Sequence, residues 1–290
     1  MQETPEPEEQ PKPTLPPAPR RRKTRRDKNT IQATPRDLWV LRWISDQYAC
    51  RADHLRELLS RAPGAPMQGP QLALTTLRDQ LERWQKAGWI EYGRYLANQP
   101  AWCWASKRGL RLVGLDGIYE SKEPSESRYK HIWANNEVRM RWGYYEHAGA
   151  EWISERRLIT EQLGSKKKRP DEVPYASIRI SAHNAIPDAV IAHAGEEWTD
   201  AIEVQLSALK LAEMRRKVLR VMDAEYTETL TGEEFVYDRV HFYVVTEAAK
   251  NQVKEIQATL DADEQERLRV HLSDLSYKWS GWPSSPPSRS

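Results

Sequence analysis

The stretch that decides the fold is IPDAVI at residues 186–191, followed after one turn by AIEVQL at residues 201–206. Each run is apolar enough for a buried strand, and each carries one carboxylate, Asp188 in the first and Glu203 in the second. Burying an unpaired carboxylate costs several kcal/mol, so two on neighbouring strands need compensation. A divalent cation compensates both charges at once, and the pattern therefore predicts a metal site.

The same two acids also allow a simpler interpretation. Carboxylates at strand ends often face solvent or pair with an arginine, and Arg179 and Arg215 are the nearest candidates. The choice between the two interpretations depends on the rest of the chain.

Composition limits the class of protein. With 290 residues, 39% of them apolar and 30% charged, the chain can form two modest domains with cores of their own. No run is long or apolar enough to span a bilayer and the N-terminus lacks a signal-peptide core, so we expect a soluble, cytoplasmic protein without a membrane partner. The spacing of its two cysteines, Cys50 and Cys103, predicts neither a zinc site nor a disulfide framework.

The net charge of +2 hides an uneven distribution. Residues 1–30 show no apolar periodicity and predict a disordered tail, first rich in Pro and Glu and then basic. Arg20, Arg21 and Arg22 open the basic run, which we interpret as an arm that contacts DNA phosphates. Residues 277–290, rich in Ser and Pro, predict a second disordered tail.

Residues 31–115 predict three helices followed by a hairpin. Thr34 and Pro35 give a helix start, a second helix spans about 52–60, and a third follows the Pro/Gly loop at 62–70 and ends before Gly88. Two short strands come next, at 89–95 and 101–104. This segment resembles the winged helix-turn-helix family over residues 34–115.

The winged-helix resemblance implies that the third helix enters a DNA major groove. The polar residues it offers to bases or phosphates are Thr75, Thr76, Arg78, Gln80 and Arg83, and the hairpin adds Arg94. The alternative is a winged helix that contacts other proteins, since a fold alone does not determine function.

After a linker at 116–128, residues 129–276 predict a second domain. Its elements are a helix at 131–147, a strand at 152–158, a basic loop containing Lys167 and Lys168, the two carboxylate strands, a helix at 208–226, a strand at 240–245, a helix at 248–260 and a strand at 268–272. The order α-β-β-β-α-β, followed by the last helix and strand, predicts an α/β core around a mixed sheet.

That order, with Pro-Asp on one strand and Glu-x-Gln on the next, resembles the PD-(D/E)xK nuclease superfamily. More narrowly, the chain is similar over residues 34–250 to the replication-relaxation family of Gram-positive plasmids and mobile elements. The motifs that carry this likeness are His131, Asn136-Glu137, Ser154-Glu155-Arg156, Pro187-Asp188 and Glu203-Val204-Gln205. The resemblance implies a two-domain α+β protein, a winged helix-turn-helix joined to a restriction-endonuclease-like core, that binds double-stranded DNA in element replication, relaxation or mobilisation.

The resemblance also implies a chemistry. Asp188 and Glu203 would bind Mg²⁺ or Mn²⁺, and Glu137 occupies the position of an accessory acid. The chain departs from the pattern at Gln205, where the superfamily has a lysine that orients or deprotonates water. Lys210 at the start of the next helix either replaces that lysine or is simply solvated.

Three functions therefore remain open. The chain is a metal-dependent DNA endonuclease or nickase, a catalytically degenerate nuclease-fold factor that binds DNA, or an interaction module that recruits replication or conjugation proteins. A homodimer is compatible with each. The histidines lack the arrangement of a tyrosine relaxase, although Tyr144 and Tyr145 would be nucleophile candidates for that mechanism.

Overall fold

The computed structural model of the chain describes residues 31–62, 72–94, 100–145, 150–164, 178–180, 185–193, 199–228 and 231–273. The chain separates at Gln32 into one unit of 32 residues, of which only Ile31 and Gln32 are described, and a second unit, Ala33–Ser290. In the described ranges, no helix combines the length and the apolar character needed to cross a membrane.

The first half of the second unit contains four helices and a small antiparallel sheet. The elements are α1 (Pro35–Asp46), β1 (Cys50–Arg51), α2 (Ala52–Arg61), α3 (Leu74–Lys86), β2 (Ile90–Gly93), β3 (Trp102–Ala105) and α4 (Lys107–Leu112). The strands pair in the order β1-β3-β2. Helix α1 begins where predicted, because Thr34 forms a capping box with Asp37 and Pro35 occupies the first turn.

Asp37 also anchors α3 against α1. Its carboxylate is fully buried and accepts hydrogen bonds from Arg83 Nη2 at 2.6 Å and from Trp84 Nε1 at 2.9 Å, both on α3. Burial opposes ionisation of Asp37, but the hydrogen bonds from the Thr34 N–H, Arg83 and Trp84 outweigh it and lower the pKa of the carboxyl. This single side chain therefore caps one helix and fixes the position of another.

The second half follows a short 3-10 turn at Glu126–Arg128. Its elements are α5 (Tyr129–Tyr145), β4 (Ala150–Ser154), α6 (Glu155–Gly164), β5 (Ile178–Ile180), β6 (Ala189–His193), β7 (Thr199–Gln205), α7 (Leu211–Met222), β8 (Glu225–Glu228), β9 (Glu234–Val236), β10 (Arg239–Val244), α8 (Glu247–Gln257), α9 (Ala262–Arg267) and β11 (Leu268–Leu272). The central sheet has the order β11-β10-β7-β6-β4, with parallel pairing from β11 to β7 and antiparallel pairing from β7 to β4. The prediction of an α+β chain with a central mixed sheet is confirmed.

Alternate residues of β6 and β7 pack on opposite faces of this sheet, as the pleat requires. Val190 and Ala201 join a core with Met214 and Val218 of α7 and with residues of α8. Ile191, Ile202 and Val204 join a core with α5 and with Trp102 and Trp104 of β3. The sheet is therefore covered on one face by α7 and α8, and on the other by α5 and by the small sheet.

The strand predicted at 152–158 is wrong beyond residue 154. There β4 ends and α6 begins, since the Ser154 hydroxyl accepts a hydrogen bond from the Arg157 N–H and Glu155 stands in the first turn. The prediction also omitted helix α9 and a third sheet. In this sheet three short strands pair in the order β5-β8-β9. These strands have three or four residues each, too few to give a clear alternating pattern.

The two cysteines, far apart in sequence, lie opposite one another across β1 and β3. Both are buried free thiols, and the Cys103 thiol donates a hydrogen bond to the Cys50 carbonyl at 3.3 Å. Burial raises the pKa of Cys50, so this thiol stays protonated.

We predict that Asp37→Ala lowers the free energy of unfolding by about 3 kcal/mol, because it removes a helix cap and leaves Arg83 and Trp84 without their buried acceptor. The measurement is urea denaturation at pH 7. The pKa of Asp37 is lower in the folded protein than its value of 3.8 in the unfolded chain. The stability difference between wild type and variant should therefore be fully present above pH 3.8 and shrink as the pH falls through the pKa of the folded state.

The matched control is Asp79→Ala on the exposed side of α3, which should change stability by less than about 0.5 kcal/mol. Equal losses in the two variants at pH 7 would contradict the role of Asp37.

Candidate functional site

Two carboxylates meet where β6 and β7 pair. Asp188 directly precedes β6, and since Ala189 pairs with Ile202 in the antiparallel register, Asp188 stands opposite Glu203. The Asp188 side chain is 11% exposed and that of Glu203 is 6% exposed. The two acids singled out in the sequence are thus neighbours and largely removed from water.

A lysine from the following helix neutralises Glu203. Lys217 Nζ, on α7, lies 2.7 Å from Glu203 Oε2 and donates to Gln205 Oε1 at 3.1 Å. Gln205 in turn donates from its amide to the Ser207 carbonyl at 2.7 Å. Gln205 therefore holds the lysine ammonium beside Glu203.

Asp188 is held by groups from three other elements. Its Oδ1 lies 2.6 Å from Nε2 of His131 on α5, and its Oδ2 accepts the Val204 N–H at 2.7 Å. The Asp188 carbonyl accepts the N–H of Glu155, the first residue of α6, at 2.9 Å. Helices α5, α6 and α7 thus converge on one strand end.

The pKa values follow from this arrangement. Burial, reinforced by the charge of Asp188, raises the pKa of Glu203 to about 7. Burial opposes ionisation of Asp188 as well, but the charge and hydrogen bond of His131 outweigh it and lower the pKa of that carboxyl. For His131 and Lys217, burial disfavours the charged form, yet the adjacent carboxylates dominate and raise the pKa of both cations.

A divalent cation at the carboxylate pair would find few protein ligands. Glu203 resists ionisation beside Asp188 even with Lys217 in contact, which is the electrostatic condition that an added cation relieves. In the described ranges, no group of three or more His, Cys, Asp or Glu side chains is arranged to bind a metal ion. A cation at Asp188 and Glu203 would therefore take its other ligands from backbone or water, as Mg²⁺ commonly does.

An ion pair borders the site. Arg128 Nη2 lies 2.9 Å from Glu155 Oε2, and burial together with the charge of Asp188 raises the pKa of Glu155. A small cavity reaches from Asp188, Glu155 and His131 to Tyr48 and Asn135.

Two predicted catalytic residues lie elsewhere. Glu137 is 5% exposed, and its Oε1 lies 2.6 Å from His54 Nε2 of α2, so its contact is with the first half of the unit. Lys210 is exposed and is the N-cap residue of α7. The ammonium beside Glu203 belongs to Lys217, seven residues further along the chain.

The predicted DNA contacts divide into three groups. Thr75, Thr76 and Arg78 on α3 and Arg94 after β2 are exposed. Gln80 and Arg83 donate hydrogen bonds to Asp37, so these side chains are engaged within the fold. The other five, Arg20, Arg21, Arg22, Lys167 and Lys168, lie outside the described residues. The side chains of the two nucleophile candidates, Tyr144 and Tyr145, are also not described.

Sequence reasoning missed the roles of Lys217 and His131. Lys217 was one of several basic residues on the predicted helix, but Met214, Val218 and Val221 define the buried face of α7, and position 217 borders that face. His131 was among the motif residues, but its contact with Asp188 was not predicted, because the two residues are 57 positions apart in the sequence.

Comparisons of the chain with protein-family models, with curated proteins and with solved structures found no match.

We predict that Glu203→Gln gains stability relative to the wild type as the pH rises from 4.5 to 8 in the absence of divalent cations, because the wild type must then ionise a buried carboxyl whose pKa is raised. The pKa of Glu203 is about 7 in the folded protein and 4.5 in the unfolded chain. The wild type is therefore most stable at low pH, where Glu203 is neutral, and loses this stability as the pH rises from 4.5 to about 7. The gain should therefore develop above pH 4.5. Thermal and urea unfolding at both pH values measure it.

Glu213→Gln, on the exposed part of α7, is the control and should show no such pH dependence. A stability difference between Glu203→Gln and the wild type that does not change with pH would contradict the electrostatic account.

Proposed function

We propose that this chain is a divalent-cation-dependent DNA endonuclease or nickase whose reactive centre is formed by Asp188, Glu203 and Lys217. The observation that carries the proposal is the contact of Lys217 Nζ with Glu203 Oε2 at 2.7 Å. It places an ammonium beside the carboxylate pair although the lysine expected two residues after Glu203 is replaced by Gln205. The substitution at 205 therefore does not argue against catalysis.

The chain's own groups have distinct tasks in this proposal. A cation held by Asp188 and Glu203 would supply Lewis acidity toward a phosphate and a lowered pKa for water. Lys217 is protonated at neutral pH because its pKa is raised, so it acts as a hydrogen-bond donor and not as a base. His131 and the Val204 N–H hold the two oxygens of Asp188 in place.

We further propose that the first half of the unit is a winged helix-turn-helix that binds double-stranded DNA. The order of three helices and an antiparallel hairpin, α1 to β3, supports this, as do the exposed Thr75, Thr76 and Arg78 on α3 and Arg94 at the end of β2. With the resemblance to the replication-relaxation family, the proposed context is replication, relaxation or mobilisation of a plasmid or mobile element.

A second candidate is a DNA-binding factor on a catalytically degenerate nuclease-like core. It is favoured by one observation: both oxygens of Asp188 already have partners, His131 and Val204, which leaves this carboxylate less open to a cation.

We predict that Lys217→Gln lowers the rate of supercoiled-plasmid nicking in Mg²⁺ or Mn²⁺ by about 10²–10³-fold, the usual effect of losing one charged donor at a reacting phosphate. Affinity for the same plasmid in a gel shift should be nearly unchanged, because only the reactive centre is altered. Asp188→Asn and Glu203→Gln should abolish nicking.

Lys210→Gln is the matched control, a lysine on the same segment that is exposed, and should nick at the wild-type rate. If wild-type protein shifts the plasmid without nicking it in either metal, the degenerate DNA-binding factor is the correct function. Equal rates in the two lysine variants would remove Lys217 from the mechanism.

A further inference from the structure

Beside the carboxylate site lies a second cavity, of about 330 Å³. Its walls are Tyr48, the segment from Ile118 to Ser125, Arg128 and Ile132, and one side of α6 with Arg156, Ile159 and Thr160. Four of these residues, Tyr48, Arg128, Ile132 and Arg156, also line the smaller cavity that reaches Asp188. The two spaces are therefore adjacent and share a wall.

Tyr48 in that wall has an unusual backbone conformation. Its φ of 67° makes it the single non-glycine with positive φ in the described part of the chain. Tyr48 directly follows Gln47, the C-cap residue of α1, and a left-handed conformation at this position is a common way for a helix to end. Here the guanidinium groups of Arg128 and Arg156 lie 4.6 and 4.9 Å from the ring centre, and Arg156 is itself fixed by bonds to the Ser45 and Glu120 carbonyls.

An unsatisfied polar atom lies on the other side of the shared wall. Asn135, 8% exposed, lines the smaller cavity, and its Oδ1 accepts no hydrogen bond from the residues that the structure describes. A buried acceptor without a donor is uncommon in a folded protein and calls for an explanation.

The lining suits a flat heteroaromatic ring that carries an anion. The aliphatic chains of Ile118, Ile132 and Ile159 suit the faces of a base, and Lys122 and Glu123 offer polar contacts to its edge. Arg128, whose side chain is 43% exposed, lies between this cavity and Glu155, where a phosphate would meet it. A nucleotide combines both features.

We propose that this cavity takes one unstacked base of the DNA strand whose phosphate reaches Asp188 and Glu203. The inference rests on the proposed function, and it specifies the substrate: DNA with an unpaired nucleotide at the reactive position, and not an uninterrupted duplex. A base inside a duplex is stacked and cannot enter a pocket beside the backbone, so an already unpaired base binds at lower cost.

The test compares three fluorescein-labelled DNAs of one length: an intact duplex, the same duplex with one bulged 2-aminopurine, and the single strand. Affinities are measured by anisotropy without divalent cations, so that no cleavage occurs. The proposal predicts about tenfold tighter binding of the bulged duplex than of the intact one, with a change in 2-aminopurine emission on binding.

Two variants fill the cavity. Ile159→Trp acts from α6, and Ser125→Trp acts from an exposed loop position where a fold defect is not expected. Both should remove the preference for the bulge and leave affinity for the intact duplex unchanged. Glu255→Trp, on the exposed side of α8, is the control and should keep the preference.

Equal affinity for bulged and intact duplex, or a preference that survives both filling variants, would overturn the pocket. If free dAMP binds and loses affinity in both variants while the bulge gives no preference, the ligand is a mononucleotide and the strand assignment is wrong. Metal-dependent nicking without a bulge preference refutes the pocket alone. A bulge preference without nicking refutes the nuclease and keeps the pocket.

Discussion

The interaction on which the rest depends is the burial of two carboxylates, Asp188 and Glu203, side by side at one strand end. Each requires a cation, and the fold supplies one from each face of the central sheet: Lys217 from α7 and His131 from α5. Removing either cation would leave a buried charge whose cost exceeds that of most single contacts. The same electrostatic demand ties both helices to the sheet, and the divalent cation that we propose would replace part of this compensation.

A second buried polar contact joins the first half of the unit to this core. His54 of α2 meets Glu137 of α5 at 2.6 Å, and Asn136 donates to the Ala49 carbonyl at 2.9 Å. Helix α5 also carries His131, which contacts Asp188. The helices and small sheet that position α5 therefore also influence the position of the Asp188 carboxylate.

Much of the fold could be predicted from local signals. Thr34 with Pro35 marks the start of α1, Gly88 the end of α3, and the apolar runs around Asp188 and Glu203 two central strands. Ser154 is a common N-cap residue and could have indicated the start of α6. The residues after it continue a strand-like pattern, however, so the sequence predicted a longer strand. In the site, the sequence indicated Asp188, Glu203 and Gln205, and His131 as a motif residue without an assigned partner. The contacts of Lys217 and His131 could not be predicted, because they depend on tertiary packing between elements far apart in sequence.

The most direct test of the central claim is an anomalous difference map from crystals of the protein soaked in Mn²⁺. The account predicts one strong peak in contact with the carboxylates of both Asp188 and Glu203, with Lys217 Nζ still close to the Glu203 and Gln205 side chains. A map without that peak, in which Asp188 stays bonded to His131 and Glu203 to Lys217, would contradict it and leave a charge-compensated core that serves stability alone.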